Sequence, residues 1–403
     1  METVQESGTG RARVVAWVGW TVALLAAAAT LAVFEYRTRD PDSVLHTRVV
    51  ERMHSRPFRD WIAPSWPPRW YMEGPYREHP AGIFVLPALL ARLGYPAEQA
   101  TYAVNGLYQV LGLVLIARLA ATFASPFEAR CVAWLVQLIP IAFTYRIRAN
   151  HEHAVLLFLL AALYATERAR ERPPWAVLTA AAFTGLALVK GVFVLLAPLG
   201  CALWLLARPA PPERKTASWA GLTMAAAVLP AGALLYEAAY RAATGLPFLS
   251  VYLSRQLGIA AEPHSSGLLA QKAYNVVWYL ARLLWFAFPF SIAAGAAAIR
   301  GPRGDDEGRN RGLLFALALA LAYLLLFSLS DRKADRYVFP AYYVLGAAGA
   351  VSALRGWPAL RRLAERVDRL RALAPVTVWA ALFALHLAGG WLRLPRIKLW
   401  PSD

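Results

Sequence analysis

Most of the chain consists of apolar blocks of roughly 16–23 residues that carry almost no charge, separated by polar segments. Because a helix needs about 20 apolar residues to cross the hydrocarbon core of a bilayer, each block predicts a membrane-spanning helix. A first span is expected at 14–34. The others are expected at 101–122, 129–145, 153–166, 175–190, 192–207, 218–239, 276–299, 312–330, 337–354 and 375–391. The pattern predicts an all-α, polytopic transmembrane helical bundle with about eleven spans.

The segments between these blocks predict one membrane domain over 1–403 without an appended soluble domain. Two of them are long: 35–80 and 240–275 are expected to be outward loops. The apolar stretch 81–93 is too short to cross a bilayer and contains Pro87, so it predicts an interfacial or re-entrant helix at the end of the first loop. No internal repeat is visible.

Composition excludes several classes of protein. Hydrophobic residues make up 58% of the chain and charged residues 17%, whereas a soluble domain carries about 25% charged residues. A water-soluble enzyme and a disordered scaffold are therefore excluded. The net charge of +17 could indicate a nucleic-acid partner, but the arginines of the short loops fall on one side of the predicted topology. Under the positive-inside rule they predict a multi-pass protein of the cell (inner or plasma) membrane with a cytoplasmic N-terminus and no nucleic-acid partner.

The first outward loop opens with two carboxylates around a proline, Asp40-Pro41-Asp42. Such a pair can bind a divalent cation or supply a general base. A structural alternative is that Asp42 or Ser43 caps a helix that begins at Val44. The two interpretations are compatible, because capping would hold Asp42 in a fixed place.

Further polar residues are expected on the same outer face. Glu78 and His79 end the first loop and could bind a metal ion or a phosphate, or could simply be solvated. Arg148 and Glu152 lie in an outward turn and have the spacing of an ion pair on a helix. His151 and His153 are two residues apart, whereas zinc-binding pairs on one helix face are usually four apart, so a zinc site there is disfavoured.

Cations also gather at this face. Lys190 ends an apolar block, where an ionisable group indicates a function unless the side chain reaches the membrane surface. Lys333, Arg336 and Tyr337 follow in the turn between two late spans. Acidic residues, a histidine and several cations on one membrane face suit an anionic, phosphate-bearing lipid substrate.

The order of these motifs resembles the C-type membrane glycosyltransferases, in the branch of the protein mannosyltransferases and the lipid A aminoarabinose transferases. The matching segments lie in the same order along most of the chain: Asp40-Pro41-Asp42, Glu78-His79-Pro80-Ala81, the pair Arg148 and Glu152, the Gly-Leu-Ala-x-x-Lys-Gly signature at 185–191, and the Lys-x-x-x-Tyr-x-x-Pro signature at Lys333, Tyr337 and Pro340. His79 stands where the family usually has Lys, and Ala81 where it has a second Pro.

The resemblance implies a function and roles for these residues. Such enzymes move a sugar from a polyprenyl-phosphate carrier to an acceptor lipid, glycan or protein outside the cytoplasm, with inversion. Asp42, with Asp40 second, would activate the acceptor, and Glu152 would support the site. The donor phosphate would be held by Arg148, Lys190, Lys333, Arg336, Tyr337 and His79. Glu78 and His264 would hold a divalent metal ion where one is used.

Two other functions compete with this one. A transporter or flippase of a lipid-linked substrate would show paired repeats, broken helices and charges at mid-bilayer. An assembly subunit with a decayed site would retain the spans but not the chemistry. The clustering of charges at one surface favours the enzyme, whose partners would be the lipid-linked donor, the acceptor and membrane lipids.

Overall fold

The computed structural model describes residues 40–68, 73–145, 148–260, 268–300, 307–330 and 333–369. Within these ranges the regular elements are helical, and one isolated bridge joins Ser65 to Pro75. The prediction of an all-α fold is confirmed. The first and last predicted spans, 14–34 and 375–391, lie outside the described residues.

The described ranges contain fifteen α-helices, several of them joined by short 3₁₀ turns. Their bounds are α1 Pro41–Met53, α2 Gly82–Arg92, α3 Ala97–Ala120, α4 Pro126–Leu135, α5 Pro140–Tyr145, α6 Glu152–Ala169, α7 Ala176–Lys190, α8 Leu196–Ala207, α9 Lys215–Thr244, α10 Leu249–Ala260, α11 Leu268–Phe286, α12 Phe290–Arg300, α13 Glu307–Ser328, α14 Phe339–Gly356 and α15 Pro358–Arg369.

Five helical segments among the described residues are long and apolar enough to cross a bilayer, which identifies a multi-pass membrane protein. These segments are Ala97–Ala120, Pro173–Ala207, Pro212–Thr244, Asn310–Ser328 and Asp335–Gly356. The pair Ala270–Phe286 and Phe290–Arg300, bent by 107°, makes a sixth if it is one span, and Pro173–Ala207 contains two helices, α7 and α8. The total of about eleven spans stays a prediction.

Helices α6, α7 and α8 run alternately up and down the bundle. Lys190, at the end of α7, contacts Glu152 at the start of α6 with an N–O distance of 3.3 Å. Arg208, one residue after α8, contacts Glu167 in the last turn of α6 at 3.1 Å. The chain therefore reverses between α7 and α8, as the two predicted spans require. We call the end where α6 begins the upper end and the end where it stops the lower end.

Ion pairs fasten the lower end. Glu167 accepts hydrogen bonds from Arg170, from Arg208 and from the indole nitrogen of Trp204. Glu128, at the start of α4, receives two bonds from Arg355 at the end of α14, at 2.6 and 2.7 Å. Such two-bond pairs restrict both partners, so they fix the lower ends of α4 and α14 against each other.

Two predicted spans differ from simple helices. The span at 129–145 is divided into α4, a 3₁₀ turn and the short helix α5, and the span at 276–299 is bent between α11 and α12. Pro140 and Pro289 lie at these breaks, where a proline cannot donate the hydrogen bond that would continue the preceding helix. The predicted short helix at 81–93 is confirmed as α2, and the long loop 240–275 contains α10.

The reversal after α7 depends on Gly191. Its φ is +60°, and an added Cβ would overlap the side chain of Tyr252. The hydroxyl of Tyr252 donates to the carbonyl of Lys190 at 3.2 Å and accepts from the amide of Val192 at 2.8 Å. A residue without a side chain is therefore required at this turn.

We expect Gly191→Ala to lower the free energy of unfolding by about 1–3 kcal/mol, because alanine is strained at this φ and displaces Tyr252. Gly232→Ala is the matched control: Gly232 lies within α9 with no atom within 4 Å of an added Cβ. Because alanine favours a helix more than glycine does, the control will unfold at the same or a higher temperature. Equal melting temperatures of the Gly191→Ala variant and the wild type, measured in detergent, would contradict this account of the turn.

Candidate functional site

The site begins at the first turn of α1. The carboxylate of Asp40 accepts hydrogen bonds from the Ser43 amide at 3.2 Å and the Ser43 hydroxyl at 2.6 Å. Asp40 is therefore the N-cap and Pro41 the first helical residue, which corrects the expectation that Asp42 or Ser43 caps the helix. The Asp-Pro pair already carried this signal, since proline is favoured at the first position of a helix.

Ser43 also attaches α1 to the start of α6. Its hydroxyl oxygen accepts a hydrogen bond from the amide of Ala149 at 2.9 Å, and the side chain is fully buried. Sequence reasoning gave Ser43 only a capping role. The contact joins two segments 106 residues apart and places Asp40 and Asp42 at the upper end of the bundle.

Asp42 forms an ion pair with Arg336, from the 3₁₀ turn just before α14. The side chains remain 39% and 27% exposed, so both can be reached by a ligand. Two predicted site residues that are 294 positions apart are thus brought into direct contact.

Glu152 and Lys190 form a second pair, almost completely buried at 2% and 6% side-chain exposure. Glu152 therefore pairs with a residue of another helix, and the ion pair between Arg148 and Glu152 suggested by their spacing is not formed. The guanidinium of Arg148 instead lies 4.6 Å from the centre of the Tyr145 ring. The ammonium of Lys190 also lies 5.3 Å from the centre of the Phe193 ring.

Three histidine rings form a row beside this pair. The ring of His151 lies 4.6 Å from that of His46 and 4.7 Å from that of His79, in both cases edge to face. His46 was not singled out from the sequence, where it looks like an ordinary helix residue. The row ends at Tyr252, whose ring centre is 6.4 Å from that of His79.

Burial keeps two of these histidines neutral. It lowers the pKa of His46 to about 3, with a further contribution from the charge of Lys190 and an opposing one from Asp40. Burial also lowers the pKa of His151 well below its usual value, and the charge of Lys190 acts in the same direction. At neutral pH both rings are uncharged, and Lys190 supplies a positive charge that acts on both of them.

The late turn supplies the remaining predicted residues. The ammonium of Lys333 contacts the side-chain oxygen of Asn275 at 3.3 Å and lies 4.7 Å from the centre of the Tyr274 ring. The Tyr337 ring packs against Phe193 at 5.6 Å between ring centres. Phe193 therefore contacts both Tyr337 and Lys190, and joins the late turn to the end of α7.

The charges converge on one buried phenol. Arg148, Glu152, Asp335 and Asp40 all lie close enough to Tyr145 to act on it electrostatically. These residues come from three separate segments of the chain, so the upper end of the bundle holds one continuous polar site. Such a site can bind an anionic group and provide a carboxylate as a base.

The suggested metal ligands are not assembled in the described part of the chain. His264 lies outside the described residues, and within them no group of three or more His, Cys, Asp or Glu side chains could hold a metal ion. The backbone carbonyl of Glu78 accepts a hydrogen bond from Gln256 of α10 at 3.3 Å, which places Glu78 beside the second long loop. A metal ion at Glu78 and His264 stays a prediction.

Comparison with known proteins agrees with this architecture. Residues 78–236 match the family described as dolichyl-phosphate-mannose-protein mannosyltransferase. The fold is similar to ArnT from Cupriavidus metallidurans bound to undecaprenyl phosphate, with a TM-score of 0.62 and 17% identity over 96% of this chain and 72% of that one. For the apo state of ArnT the TM-score is 0.55 and the identity 19%, over 99% of this chain and 66% of that one. No curated protein matches the chain by sequence.

The fold similarity identifies the polytopic, all-α membrane architecture of ArnT. The family match covers α2 to α8 and extends into α9, and so includes Glu78, Arg148, Glu152 and Lys190. The resemblance to the C-type membrane glycosyltransferases inferred from the motif order is confirmed.

We expect the protein to lose stability as the pH falls from 7 to 5. In the unfolded chain His46 binds a proton near pH 6.5, whereas in the folded chain its pKa is about 3. The unfolded state therefore binds more protons in this window, and folding loses about 2 kcal/mol through His46 alone.

The measurement is the melting temperature in detergent at the two pH values. His46→Asn removes the titrating group, so the difference between pH 7 and pH 5 will become smaller. The exposed Arg48, on the same helix, supplies the control variant Arg48→Gln, which leaves the difference unchanged. An equal pH dependence in wild type and His46→Asn would contradict the assignment.

Proposed function

We propose that this chain, which resembles the C-type membrane glycosyltransferases in family and fold, transfers a sugar from a polyprenyl-phosphate carrier to an acceptor hydroxyl at the outer face of the membrane. The observation that carries the proposal is the contact between Asp42 and Arg336 at the polar upper end of the bundle. It puts a carboxylate that can act as a base beside a cation that can bind a phosphate. The ArnT structure bound to undecaprenyl phosphate supports this class of donor.

Asp42 is the better base of the two carboxylates. Asp40 is occupied as the helix cap, accepting from both the amide and the hydroxyl of Ser43. Asp42 takes no part in the cap, is 39% exposed, and is held by an ion pair with a side chain from another segment. We therefore assign proton abstraction to Asp42 and give Asp40 the role of fixing the helix that carries it.

The reaction would be a single displacement. Asp42 takes the proton from the acceptor hydroxyl while the hydroxyl oxygen forms a bond to the anomeric carbon of the sugar. The bond between that carbon and the phosphate oxygen breaks, and the polyprenyl phosphate leaves with the electron pair. Inversion follows, because no covalent bond between sugar and enzyme forms on the way.

Arg336 links donor binding to the activation of Asp42. In the structure it neutralises Asp42, which makes the carboxylate a weaker base. The donor phosphate is a diester with one negative charge, spread over two oxygens that can accept paired bonds from a guanidinium. It can therefore compete with Asp42 for Arg336, since both side chains of that pair are partly exposed. Binding of the donor would draw Arg336 away and leave Asp42 free to accept a proton.

Other cations would share the phosphate charge as it develops. Arg148, Lys190, Lys333 and His79 surround the upper end, and Tyr337 offers a hydroxyl. Lys190 is already paired with Glu152, so its role would be to set the local electrostatic potential. Arg148 packs on Tyr145 without an ion-pair partner among the described residues. Placed charges of this kind stabilise a leaving phosphate without reorganising during the reaction.

The proposed orientation puts the upper end outside. The lower end holds Arg170, Arg208 and Arg355, together with the arginine-rich helix α15. Under the positive-inside rule this end faces the cytoplasm, so the N-terminus is cytoplasmic and the site opens outward. A divalent metal ion at Glu78 and His264 remains part of the proposal, testable by the metal content of a Glu78→Gln variant.

The activity itself can be tested with purified protein and a panel of polyprenyl-phosphate sugars carrying a radiolabelled sugar. We expect transfer to an acceptor, or slow transfer to water, from at least one donor. Binding of the lipid without release of the sugar, together with its movement across a vesicle membrane, would instead indicate a flippase. A folded protein that neither binds nor turns over any donor would fit an assembly subunit.

We expect Asp42→Asn to lower kcat by about 10²–10⁴-fold, because the amide cannot accept the proton. Donor binding will persist, since Arg336 no longer has to leave a carboxylate. Asp60→Asn is the matched control, because Asp60 lies in the same loop and its carboxylate, among the described residues, pairs only with Arg59 at the surface, at 3.5 Å. Near-normal transfer by the Asp42→Asn variant, in protein of normal stability, would refute the role of Asp42.

A further inference from the structure

Helix α11 presents three buried polar side chains on one face. Asn275, Tyr279 and Arg282 are four and three residues apart, which places them along the same side of the helix. Asn275 and Tyr279 are fully buried, and Arg282 is 3% exposed. Polar groups at this depth in a membrane bundle are costly unless they are bonded, so their common direction calls for an explanation.

All three side chains bind the segment that joins α13 to α14. The side-chain amide of Asn275 donates to the carbonyl of Ser328 at 3.2 Å and to that of Ser330 at 2.8 Å. Farther along the helix, the hydroxyl of Tyr279 accepts from the amide of Ala334 at 3.5 Å. The guanidinium of Arg282 pairs with Asp335.

These contacts also involve the predicted donor site. The oxygen of Asn275 accepts from the ammonium of Lys333 at 3.3 Å. Asp335, held by Arg282, is the residue immediately before Arg336, whose side chain pairs with Asp42. These three side chains of α11 therefore hold the turn at Lys333, at Ala334 and at Asp335. Two of these residues, Lys333 and Asp335, are a predicted donor-site residue and the neighbour of another, Arg336.

We propose that Asn275, Tyr279 and Arg282 are positioning residues of the donor site, which set the places of Lys333 and Arg336 without touching the substrate. This inference rests on the proposed function. Arg282 is itself held over the ring of Trp278, with its guanidinium carbon 3.1 Å from the ring centre. The Trp278 ring and Asp335 both restrict the movement of this guanidinium. Asp335 therefore pairs with a side chain that is itself held in place.

The physical reason is the flexibility of the side chains that meet the donor. A lysine and an arginine on a free loop lose much conformational freedom when they bind a phosphate, and this loss weakens binding. Asn275 restrains the ammonium of Lys333 in advance, and Arg282 restrains the backbone that carries Arg336. Loss of the restraint would weaken donor binding more than it slows the chemical step, because Asp42 stays on its own helix.

The test compares Asn275→Ala with Val277→Ala, a control on the same helix whose side chain is 63% exposed. We measure the donor KM, kcat and, separately, the affinity for undecaprenyl phosphate without sugar. Asn275→Ala will raise the donor KM and weaken the lipid affinity by about tenfold, as loss of a hydrogen bond to a charged group does, with a smaller change in kcat. Tyr279→Phe removes one weaker contact, the hydrogen bond from the Ala334 amide. It will change the donor KM and the lipid affinity in the same direction but to a smaller extent.

A double variant separates positioning from general damage. If Asn275 acts through Lys333, then Asn275→Ala will add little to the effect of Lys333→Met on lipid affinity. Additive losses, or an unchanged KM and affinity in stable Asn275→Ala protein, would overturn the proposal. Should Asn275→Ala fail to fold, unchanged donor binding by Tyr279→Phe would overturn it and a weaker binding would support it. A wild type that transfers no sugar would instead refute the proposed function.

Discussion

The buried ion pair between Lys190 and Glu152 is the constraint on which the upper end of the bundle depends. Each charge alone would be very costly to bury, and the pair is tolerated because both partners arrive together at the ends of α7 and α6. The reversal at Gly191 directs Lys190 toward Glu152, and the hydroxyl of Tyr252 holds the carbonyl of Lys190. Burial lowers the pKa of His46 and of His151, and the charge of the same ammonium lowers both further, so one pair contributes to both geometry and potential.

The two ends of the bundle use ion pairs differently. At the lower end, arginines form two-bond contacts with glutamates, as in Arg355 with Glu128, and a glutamate such as Glu167 is shared by several donors. These pairs serve to hold helices together. At the upper end the pair of Asp42 and Arg336 is half exposed and joins a loop helix to a late turn. A competing anion can open a pair in that position. A more buried pair that is held by two bonds, such as Arg355 with Glu128, resists such competition.

The sequence was sufficient to predict the class of fold and the gathering of polar residues on one face, because long apolar blocks and charged turns report directly on membrane topology. Direct partners were harder to predict. The spacing of Arg148 and Glu152 suggested a local pair, but Glu152 is satisfied by Lys190, 38 positions away. Local spacing carries no information about which distant helix brings a competing charge. The polar face of α11 was missed for a similar reason: Asn275 is the last residue of the predicted loop 240–275, Arg282 stands alone in the apolar block 276–299, and only the fold shows their common target.

The proposed roles of Asp42 and Arg336 in one reaction give a reason why the two side chains are paired in the resting protein. A free carboxylate near the membrane surface would attract solvent cations, and a free guanidinium would attract lipid phosphates of any kind. Pairing shields each side chain from these unwanted ligands. The contact of Arg282 with Asp335, the residue before Arg336, limits how far Arg336 can move. Only a ligand that offers an anion within that short reach can separate the pair. Selectivity for a donor phosphate would then come from where the turn is held, rather than from the number of cations in the site.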